Sequence, residues 1–189
     1  MNETINTLYS RRSIRDYEEM QVSEEILNEI MKAGTYAPSA RNSQSSIIIY
    51  VKDENVRLKI KELSKIIRGM DAFYNAPHMM LVLSKAESFC PIQDGSLVLG
   101  NMMVAARSLG VGTCWINCLK DILKLPEAKD IKDLIDPNDE YIAVGALILG
   151  YPKDNEWPSE KPKKQDYIKV PFIFPFSFRN NQLFQYYWV

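Results

Sequence analysis

The sequence predicts a layered domain in which helices pack against a sheet, of the α/β or α+β class. Short apolar runs typical of buried strands alternate along the chain with segments whose apolar residues recur at helical spacing. The chain has 189 residues, of which 46% are hydrophobic and 25% are charged, an ordinary composition for a globular protein. No internal repeat, low-complexity block or linker divides it. We therefore expect one domain over residues 1–189.

The first half of the chain predicts two helices and two strands. Ser23 is a candidate N-cap for a helix that Gly34 closes. Residues 46–51, SIIIYV, form a short β-branched run that predicts a buried strand. A second amphipathic helix ends near Gly69, and residues 78–84, HMMLVLS, predict a second buried strand.

The second half predicts one long helix and two further strands. Residues 95–109 are apolar on nearly every side, which is typical of a helix at the centre of a fold or in an interface. Gly110 and Gly112 end this helix, residues 113–117 (TCWIN) resume as a strand, and residues 141–152 form another strand that ends in a turn.

The carboxyl-terminal segment, residues 166–189, differs in composition from the rest. Nine of the 20 aromatic residues lie between Tyr167 and Trp188. The phenylalanines from residue 172 to residue 178 alternate along the chain, so an extended backbone would place them on one face. Pro171 and Pro175 exclude a central strand but suit an edge. We expect this arm to pack on a neighbouring subunit, because so much aromatic surface would otherwise face water.

The overall charge argues against a dedicated nucleic-acid binder. Lys and Arg number 23 against 24 Asp and Glu, for a formal net charge of −1, whereas nucleic-acid-binding proteins normally carry a basic excess. An RNA- or polyphosphate-binding module that uses a local arginine cluster is an alternative, which this charge weakens.

The cysteine and hydropathy patterns favour a reducing compartment. Cys90, Cys114 and Cys118 form no CxxC pair, and the single histidine, His78, completes no zinc-binding pattern. The amino-terminal segment has no signal-type apolar run, and no apolar run reaches the roughly 18 residues that span a bilayer. We expect a cytoplasmic protein without a metal site.

The segment RRSIRDY, residues 11–17, is the strongest candidate for anion binding. An extended backbone would place Arg11, Ser13 and Arg15 on one face, and a helix would make the two arginines i,i+4 neighbours. Guanidinium groups bind phosphate oxygens through paired hydrogen bonds, and a serine hydroxyl adds a neutral donor. The alternative is a solvated charge cluster.

The segment APSARNSQ, residues 37–44, is a second candidate. It lies between a predicted helix and a predicted strand, where loops commonly carry binding groups. Asn42 and Gln44 offer amide donors and acceptors suited to the edge of a heterocycle. The alternative is a polar turn.

Together the segments resemble the FMN-dependent nitroreductase family. Five of them stand in the order that the family shows: RRSIRDY, APSARNSQ, FYNAPHMMLVL, DGSLVLGNMMVAARSLGVGTCWI and ILGYP. The resemblance covers roughly residues 5–165 and implies an α+β fold, a three-layer α/β/α sandwich with a mixed, mostly antiparallel sheet flanked by helices. It also implies an intertwined homodimer with two FMN sites, each built from both subunits.

The resemblance further implies which residues hold FMN. Arg11, Arg12 and Ser13 match the phosphate-binding segment, and Arg15 matches the basic residue near the flavin pyrimidine edge. The loop that reaches the flavin from the other subunit is matched by Pro38, Ser39, Ala40, Asn42 and Gln44. The family usually continues this loop with Pro-Trp, whereas Ser45 and Ser46 stand here.

The remaining matches lie in the second half of the chain. The long apolar helix resembles the family's central dimer helix. The strand under the flavin ring, whose backbone N–H groups address flavin N5 and O4, is matched by Thr113, Cys114, Trp115 and Ile116, and the basic residues that complete the phosphate site by Lys163 and Lys164. A surface charge run is the alternative for these lysines.

The residues with reactive side chains do not call for a catalytic role. His78 stands at a strand start, where a structural position is favoured over an acid–base role. Cys114 is better explained as a small buried filler than as a redox thiol. We therefore predict no catalytic side chain.

The reaction that the resemblance implies is a ping-pong transfer of hydride from NADH or NADPH, through flavin N5, to a nitroaromatic, a quinone or a similar small acceptor. No GxGxxG fingerprint is present, so the nicotinamide would dock transiently. The alternatives are a flavin- or nucleotide-binding protein without turnover, or a relative specialised for enoate reduction, dehalogenation or flavin fragmentation.

Overall fold

A four-stranded sheet forms the middle of residues 1–158 in the computed structural model, which describes residues 2–170. The strand order is β1-β2-β4-β3, and each of the three strand pairings is antiparallel. The strands are β1 (Ser46–Tyr50), β2 (His78–Lys85), β3 (Gly112–Ile116) and β4 (Tyr141–Gly150).

Helices cover both faces of this sheet. They are α1 (Glu3–Ser10), α2 (Glu24–Thr35), α3 (Glu54–Arg68), α4 (Pro91–Ser108), α5 (Leu119–Ile122) and α6 (Lys129–Ile135), with short 3-10 turns at Ala40–Asn42, Pro126–Ala128 and Lys153–Asn155. α2 and α4 pack on one face, while α3, α5 and α6 pack on the other.

The alternation of side chains along the central strands produces two apolar cores. On β2, Met79, Leu81 and Leu83 face the layer that contains α3, whereas Met80 and Val82 face α2 and α4. Each fully buried side chain of this size contributes about 1.5–3 kcal/mol to folding. The predicted three-layer α/β/α sandwich is confirmed.

Local chain signals explain where α2 and α3 begin and where α3 ends. The Ser23 hydroxyl accepts a hydrogen bond from the Ile26 N–H at 3.4 Å, as an N-cap of α2 should. The Asp53 carboxylate does the same for the Val56 N–H at 3.0 Å in α3, and Gly69 ends α3 in the left-handed conformation with φ 71°.

Two sequence-based expectations require correction. Gly34 does not end its helix but lies inside the last turn of α2, where a Cβ atom would be 2.8 Å from the side chains of both Ile48 and Met102. Strand β1 forms as predicted, yet its residues are only half-buried because β1 lies at a sheet edge. Helices α1, α5 and α6 were not predicted.

The second unit, residues 159–189, is described only as far as residue 170. Its described residues are exposed, and Lys163 and Lys164 pair with Glu160 and Asp166 at 3.8 Å and 3.2 Å. The predicted aromatic arm, residues 166–189, lies mostly outside the described residues. Among the helices of residues 2–170, none has the length and apolar character needed to cross a membrane.

Candidate functional site

The arginine segment, residues 11–17, is extended and adds to the outer edge of β3. The Ile14 N–H donates to the Thr113 carbonyl at 2.9 Å, and Ser13 forms a parallel bridge with Thr113. The Ile14 side chain is buried, with 3% of its surface exposed, and packs over Gly112. The backbone of this segment is therefore fixed by the sheet, and its alternate side chains point away from the core.

The extended geometry brings three of the predicted side chains together. In an extended segment alternate side chains share a face, so Arg11, Ser13 and Arg15 lie on one side of it, and Ser13 and Arg15 line the same cavity. The Arg12 guanidinium lies elsewhere, because its Nη1 donates to the carbonyls of Tyr9 and Arg11 at 2.7 Å and 2.8 Å. Arg12 thus completes the last turn of α1.

The positive charge of this segment is available to a ligand. Among residues 2–170, neither Arg11 nor Arg15 forms an ion pair with a carboxylate, and the Arg15 guanidinium lies 5.7 Å from the centroid of the Tyr74 ring. A cavity of about 480 Å³ lies away from this segment, and a second cavity, of about 380 Å³, opens beside it. The lining of the latter includes Ser13, Arg15, Lys153, Trp157 and three acidic residues, Asp16, Asp154 and Glu156.

Strand β3 presents alternate backbone groups to the same edge. The Thr113 carbonyl points away from β4, since it accepts from the Ile14 N–H. In an antiparallel strand the N–H and C=O of one residue point the same way and alternate with those of the next. The amides of Thr113 and Trp115 therefore face the outer edge, whereas those of Cys114 and Ile116 face β4.

The second predicted segment, residues 37–44, contains a tight loop, residues 38–44, with several residues in an unusual backbone conformation. Arg41, Asn42 and Gln44 have φ values of 55°, 54° and 47°, in the left-handed region. The Ser39 hydroxyl accepts a hydrogen bond from the backbone N–H of Gln44 at 3.0 Å. The Gln44 side-chain amide donates to the side-chain oxygen, Oδ1, of Asn42 at 3.2 Å. The 480 Å³ cavity lies beside this loop.

Asp94 in the first turn of α4 holds this loop, and sequence reasoning missed it. Its carboxylate accepts from the Ala40 N–H at 2.9 Å and from the hydroxyls of Ser43 and Ser45 at 3.2 Å each. These partners are 49 to 54 residues away along the chain, so no local pattern reveals the contact.

Arg107, near the other end of α4, was also missed. Its Nε donates to the Ser10 hydroxyl at 3.1 Å, and its guanidinium lies 3.9 Å from the centroid of the Trp157 ring. It therefore links the end of α1 and the segment after β4 to α4. Asp94 and Arg107 are the charged residues of α4, which is otherwise mostly apolar. This contrast could have identified both residues from the sequence, although not their partners.

The two predicted segments lie at opposite ends of α4. The loop of residues 38–44 is bound to Asp94, while the arginine segment lies by Arg107 and Ser10. At about 1.5 Å per residue, Asp94 and Arg107 are separated by about 20 Å along the helix axis. Within one chain the two segments therefore line different cavities.

The buried histidine is fully used by the fold. His78 Nε2 accepts from the Val22 N–H at 3.0 Å, so the imidazole proton is on Nδ1, which donates to the Tyr50 hydroxyl at 2.8 Å. Burial, with a smaller effect of the Arg57 charge, holds the pKa of His78 below its ordinary value. This geometry fits the structural position expected for His78.

The Cys114 thiol is kept neutral by its surroundings. Burial raises the pKa of Cys114 above its ordinary value, against the opposing effects of Arg15, Ser13 and Arg11. A buried neutral thiol fits the expected role as a small filler.

Comparison with known proteins identifies the family and the relatives that this chain resembles. The model of the nitroreductase family matches residues 8–70 and 68–151. A relative from Archaeoglobus fulgidus, whose name assigns it provisionally as an NADH dehydrogenase/NAD(P)H nitroreductase, is 32% identical over 161 residues, which cover 82% of this chain and 89% of the relative. An FMN reductase [NAD(P)H] from Bacillus subtilis is 28% identical over 185 residues, covering 86% and 70%.

A solved structure has the same fold. The crystal structure of a nitroreductase with bound FMN from Bacteroides fragilis superposes with a TM-score of 0.80 at 27% identity, covering 90% of this chain and 99% of that one. The family match extends through both predicted segments, the sheet and α4. The chain belongs to the nitroreductase family.

Proposed function

We propose that this protein is an FMN-dependent oxidoreductase that transfers hydride from NADH or NADPH to a small acceptor such as a nitroaromatic or a quinone. The observation that carries the proposal is the extended segment that pairs with β3 and so places Arg11, Ser13 and Arg15 on one face beside the outward amides of that strand. The relatives named as NAD(P)H nitroreductase and FMN reductase support it.

The residues present fit the chemistry of FMN. A phosphate monoester carries nearly two negative charges at neutral pH, and guanidinium groups bind its oxygens through charge-assisted hydrogen bonds. Arg11 and Ser13 would hold that phosphate, with Arg12 supporting the turn through its carbonyl contacts. The outward backbone N–H of Trp115 would donate to an acceptor atom at the flavin edge. Among the backbone amides of residues 113–116, we propose this one as the flavin contact.

The protein's own groups bind, orient and tune the coenzyme rather than performing acid–base chemistry. When bound, FMN supplies hydride transfer at N5 between the nicotinamide and the acceptor. The Arg15 guanidinium would stabilise negative charge at the pyrimidine edge. His78 and Cys114 are neutral and engaged in the core, so neither is required as a proton donor.

The same proposal includes a homodimer whose sites are shared between chains. Asp94 and Arg107, beside which the two predicted segments lie, are about 20 Å apart along α4, too far for both segments of one chain to surround one flavin ring. A second copy would bring Pro38, Ser39, Ala40, Asn42 and Gln44 to the arginine segment of its partner. Exposed apolar side chains on α1 and α4, with Tyr9 62% and Leu97 45% exposed, supply a surface for that contact.

Lys163 and Lys164 are proposed to complete the phosphate site. Both are exposed, and within the described residues Lys163 pairs with Glu160 and Lys164 with Asp166. Exposed pairs of this kind contribute little to folding, so these lysines can exchange a carboxylate for a phosphate at small cost.

Absorbance spectroscopy of the purified, FMN-loaded protein tests the proposal. A flavoprotein shows a band near ~450 nm that NADH or NADPH bleaches under nitrogen, and a nitroaromatic or quinone then restores it. Bleaching and recovery distinguish an enzyme from a passive flavin binder. A protein that takes up no FMN would overturn the proposal.

A further inference from the structure

We propose that Asp94 is a positioning residue that holds the loop of residues 38–45 in the conformation that binds FMN, an inference that rests on the proposed function. Asp94 lines the cavity beside the loop but is 3% exposed, and its proposed role is to hold the loop rather than to bind FMN. Its carboxylate accepts one backbone and two hydroxyl hydrogen bonds, all from this loop.

The Asp94 carboxylate is buried, although part of the loop that it holds is exposed. Asp94 is 3% exposed, and Ser45 is also buried. Hydrogen bonds to an ionised carboxylate are roughly twice as strong as neutral ones. A buried carboxylate with fewer hydrogen-bond partners would lower the stability of the fold. The three hydrogen bonds from the loop therefore stabilise both the carboxylate and the loop.

The loop needs this restraint because its backbone is unfavourable by itself. Arg41, Asn42 and Gln44 all have left-handed φ values, and only asparagine adopts that region readily among them. Such conformations persist only where the surrounding contacts determine them. Asp94 binds Ala40 at the start of the strained stretch and Ser45 just after it, so it fixes both ends.

Asp136 provides a matched control elsewhere in the fold. It is also a buried carboxylate, 6% exposed, and it accepts the N–H groups of Glu140 and Tyr141 at 2.9 Å each. It therefore holds a loop by the same chemistry, but next to α6, on the other side of the sheet. Loss of either carboxylate removes buried hydrogen bonds, whereas only Asp94 contacts the loop of residues 38–45.

The experiment compares Asp94→Ala, Asp94→Asn and Asp136→Ala in the full chain. FMN affinity is measured by flavin fluorescence titration, and hydrogen–deuterium exchange of residues 38–45 is measured without FMN. Asp94→Ala should weaken FMN binding about ten- to a hundredfold, because only a small fraction of loops would be binding-competent. Its loop amides should exchange faster than those of the wild type.

The conservative variant should restore binding. The asparagine side chain introduced by Asp94→Asn would keep an acceptor for the Ala40 N–H, and its amide can donate to a serine hydroxyl. Asp94→Asn should therefore bind FMN within about threefold of the wild type. Asp136→Ala should leave both FMN affinity and exchange of residues 38–45 unchanged. If Asp94→Ala does not fold, Ser43→Ala/Ser45→Ala, which leaves the carboxylate in place, should show the same two changes to a smaller extent.

Two results would overturn the inference. One is an FMN affinity and loop exchange in Asp94→Ala equal to those of the wild type. The other is an equal loss of affinity in Asp136→Ala, which would indicate general destabilisation. If the wild type bound no FMN, the proposed function would fail, and loop exchange in the two alanine variants would still decide whether Asp94 holds the loop.

Discussion

The two ends of α4 position binding groups in different ways. At its amino-terminal end, a buried side chain, Asp94, holds a loop whose backbone is unfavourable by itself. At its carboxyl-terminal end, the arginine segment is held mainly by its own backbone, which adds to the edge of β3, and by the buried Ile14. Arg107 contributes there through Ser10 and Trp157.

The difference shows which half of the site tolerates change. A segment held by backbone hydrogen bonds keeps its shape when its outward side chains are replaced, so those side chains can be altered for ligand binding alone. A loop held by one carboxylate loses its shape when that carboxylate is lost. Substitutions at the arginine end should therefore separate binding from stability more cleanly than substitutions at the loop end.

The largest effect at the arginine end should come from its apolar anchor. Ile14→Ala removes a buried side chain that packs over Gly112, and we expect the free energy of unfolding to fall by about 2–5 kcal/mol. FMN affinity should also fall, because the segment would detach from β3. Urea unfolding and fluorescence titration measure the two effects.

Ile122→Ala is the control for that variant. Ile122 is fully buried in the core that contains α3, against α3 and β4, so its loss should reduce stability by a similar amount while FMN affinity is retained. Equal affinities for the two variants would show that Ile14 does not hold the binding segment.

Outward arginines should show the opposite pattern. Arg11→Ala and Arg15→Ala should each leave the unfolding free energy nearly unchanged, because neither side chain forms an ion pair within residues 2–170. Each should weaken FMN binding roughly ten- to a hundredfold, since a charge-assisted contact contributes about 1.5–3 kcal/mol. Arg68→Ala, at an exposed arginine of α3, is the control and should bind FMN normally.

The pH dependence of folding tests the role of the buried His78. His78 binds the Val22 N–H in the stretch between the arginine segment and α2, and its pKa is lowered, mainly by burial. The unfolded chain protonates this histidine near its ordinary pKa of about 6.5, so the unfolded state binds more protons below that pH. Stability should therefore fall as the pH drops below about 6.5, by at most about 1.4 kcal/mol per pH unit.

His78→Gln is the matched variant for this prediction. Glutamine keeps an acceptor for the Val22 N–H but does not titrate, and the chain has no other histidine. Between about pH 7.5 and about pH 5.5, the unfolding free energy of the wild type should fall relative to that of His78→Gln. A constant difference would contradict the assignment.

The smallest effect should come from the lysines of the second unit. Lys163→Ala and Lys164→Ala should leave stability unchanged and weaken FMN binding only about two- to fivefold, as expected for exposed charges worth about 0.2–1 kcal/mol. The loss should disappear at high salt. A loss as large as that of Arg11→Ala would mean that these lysines are the principal phosphate ligands.

Local signals in the sequence were sufficient for much of the fold. Caps and periodicity predicted α2, α3, α4 and the four strands, because signals such as Ser23 and Gly69 act within a few residues of themselves. Helices α5 and α6 are short, with 4 and 7 residues, and pack on the core without strong signals of their own. The edge position of β1 depends on strand order, which no local pattern encodes.

Sequence reasoning proposed the ligand-facing residues of the candidate site but missed the residues that hold them in place. Arg11, Ser13 and Arg15 share a face simply because an extended chain alternates. Asp94 was overlooked because the predicted helix began at Gly95 and left Asp94 outside it, whereas α4 begins at Pro91. Its contacts with Ala40 and Ser45 arise only when the chain folds.

Complementation between two defective variants tests the shared site most directly. One variant carries Arg11→Ala/Arg15→Ala, and the other carries Ser39→Ala/Asn42→Ala/Gln44→Ala. If each site uses the arginine segment of one chain and the loop of the other, a mixed dimer contains one intact site and one doubly defective site. After random pairing, about a quarter of all sites should bind FMN with wild-type affinity. No recovery in the mixture, or wild-type FMN binding by a monomeric form of the chain, would contradict the account.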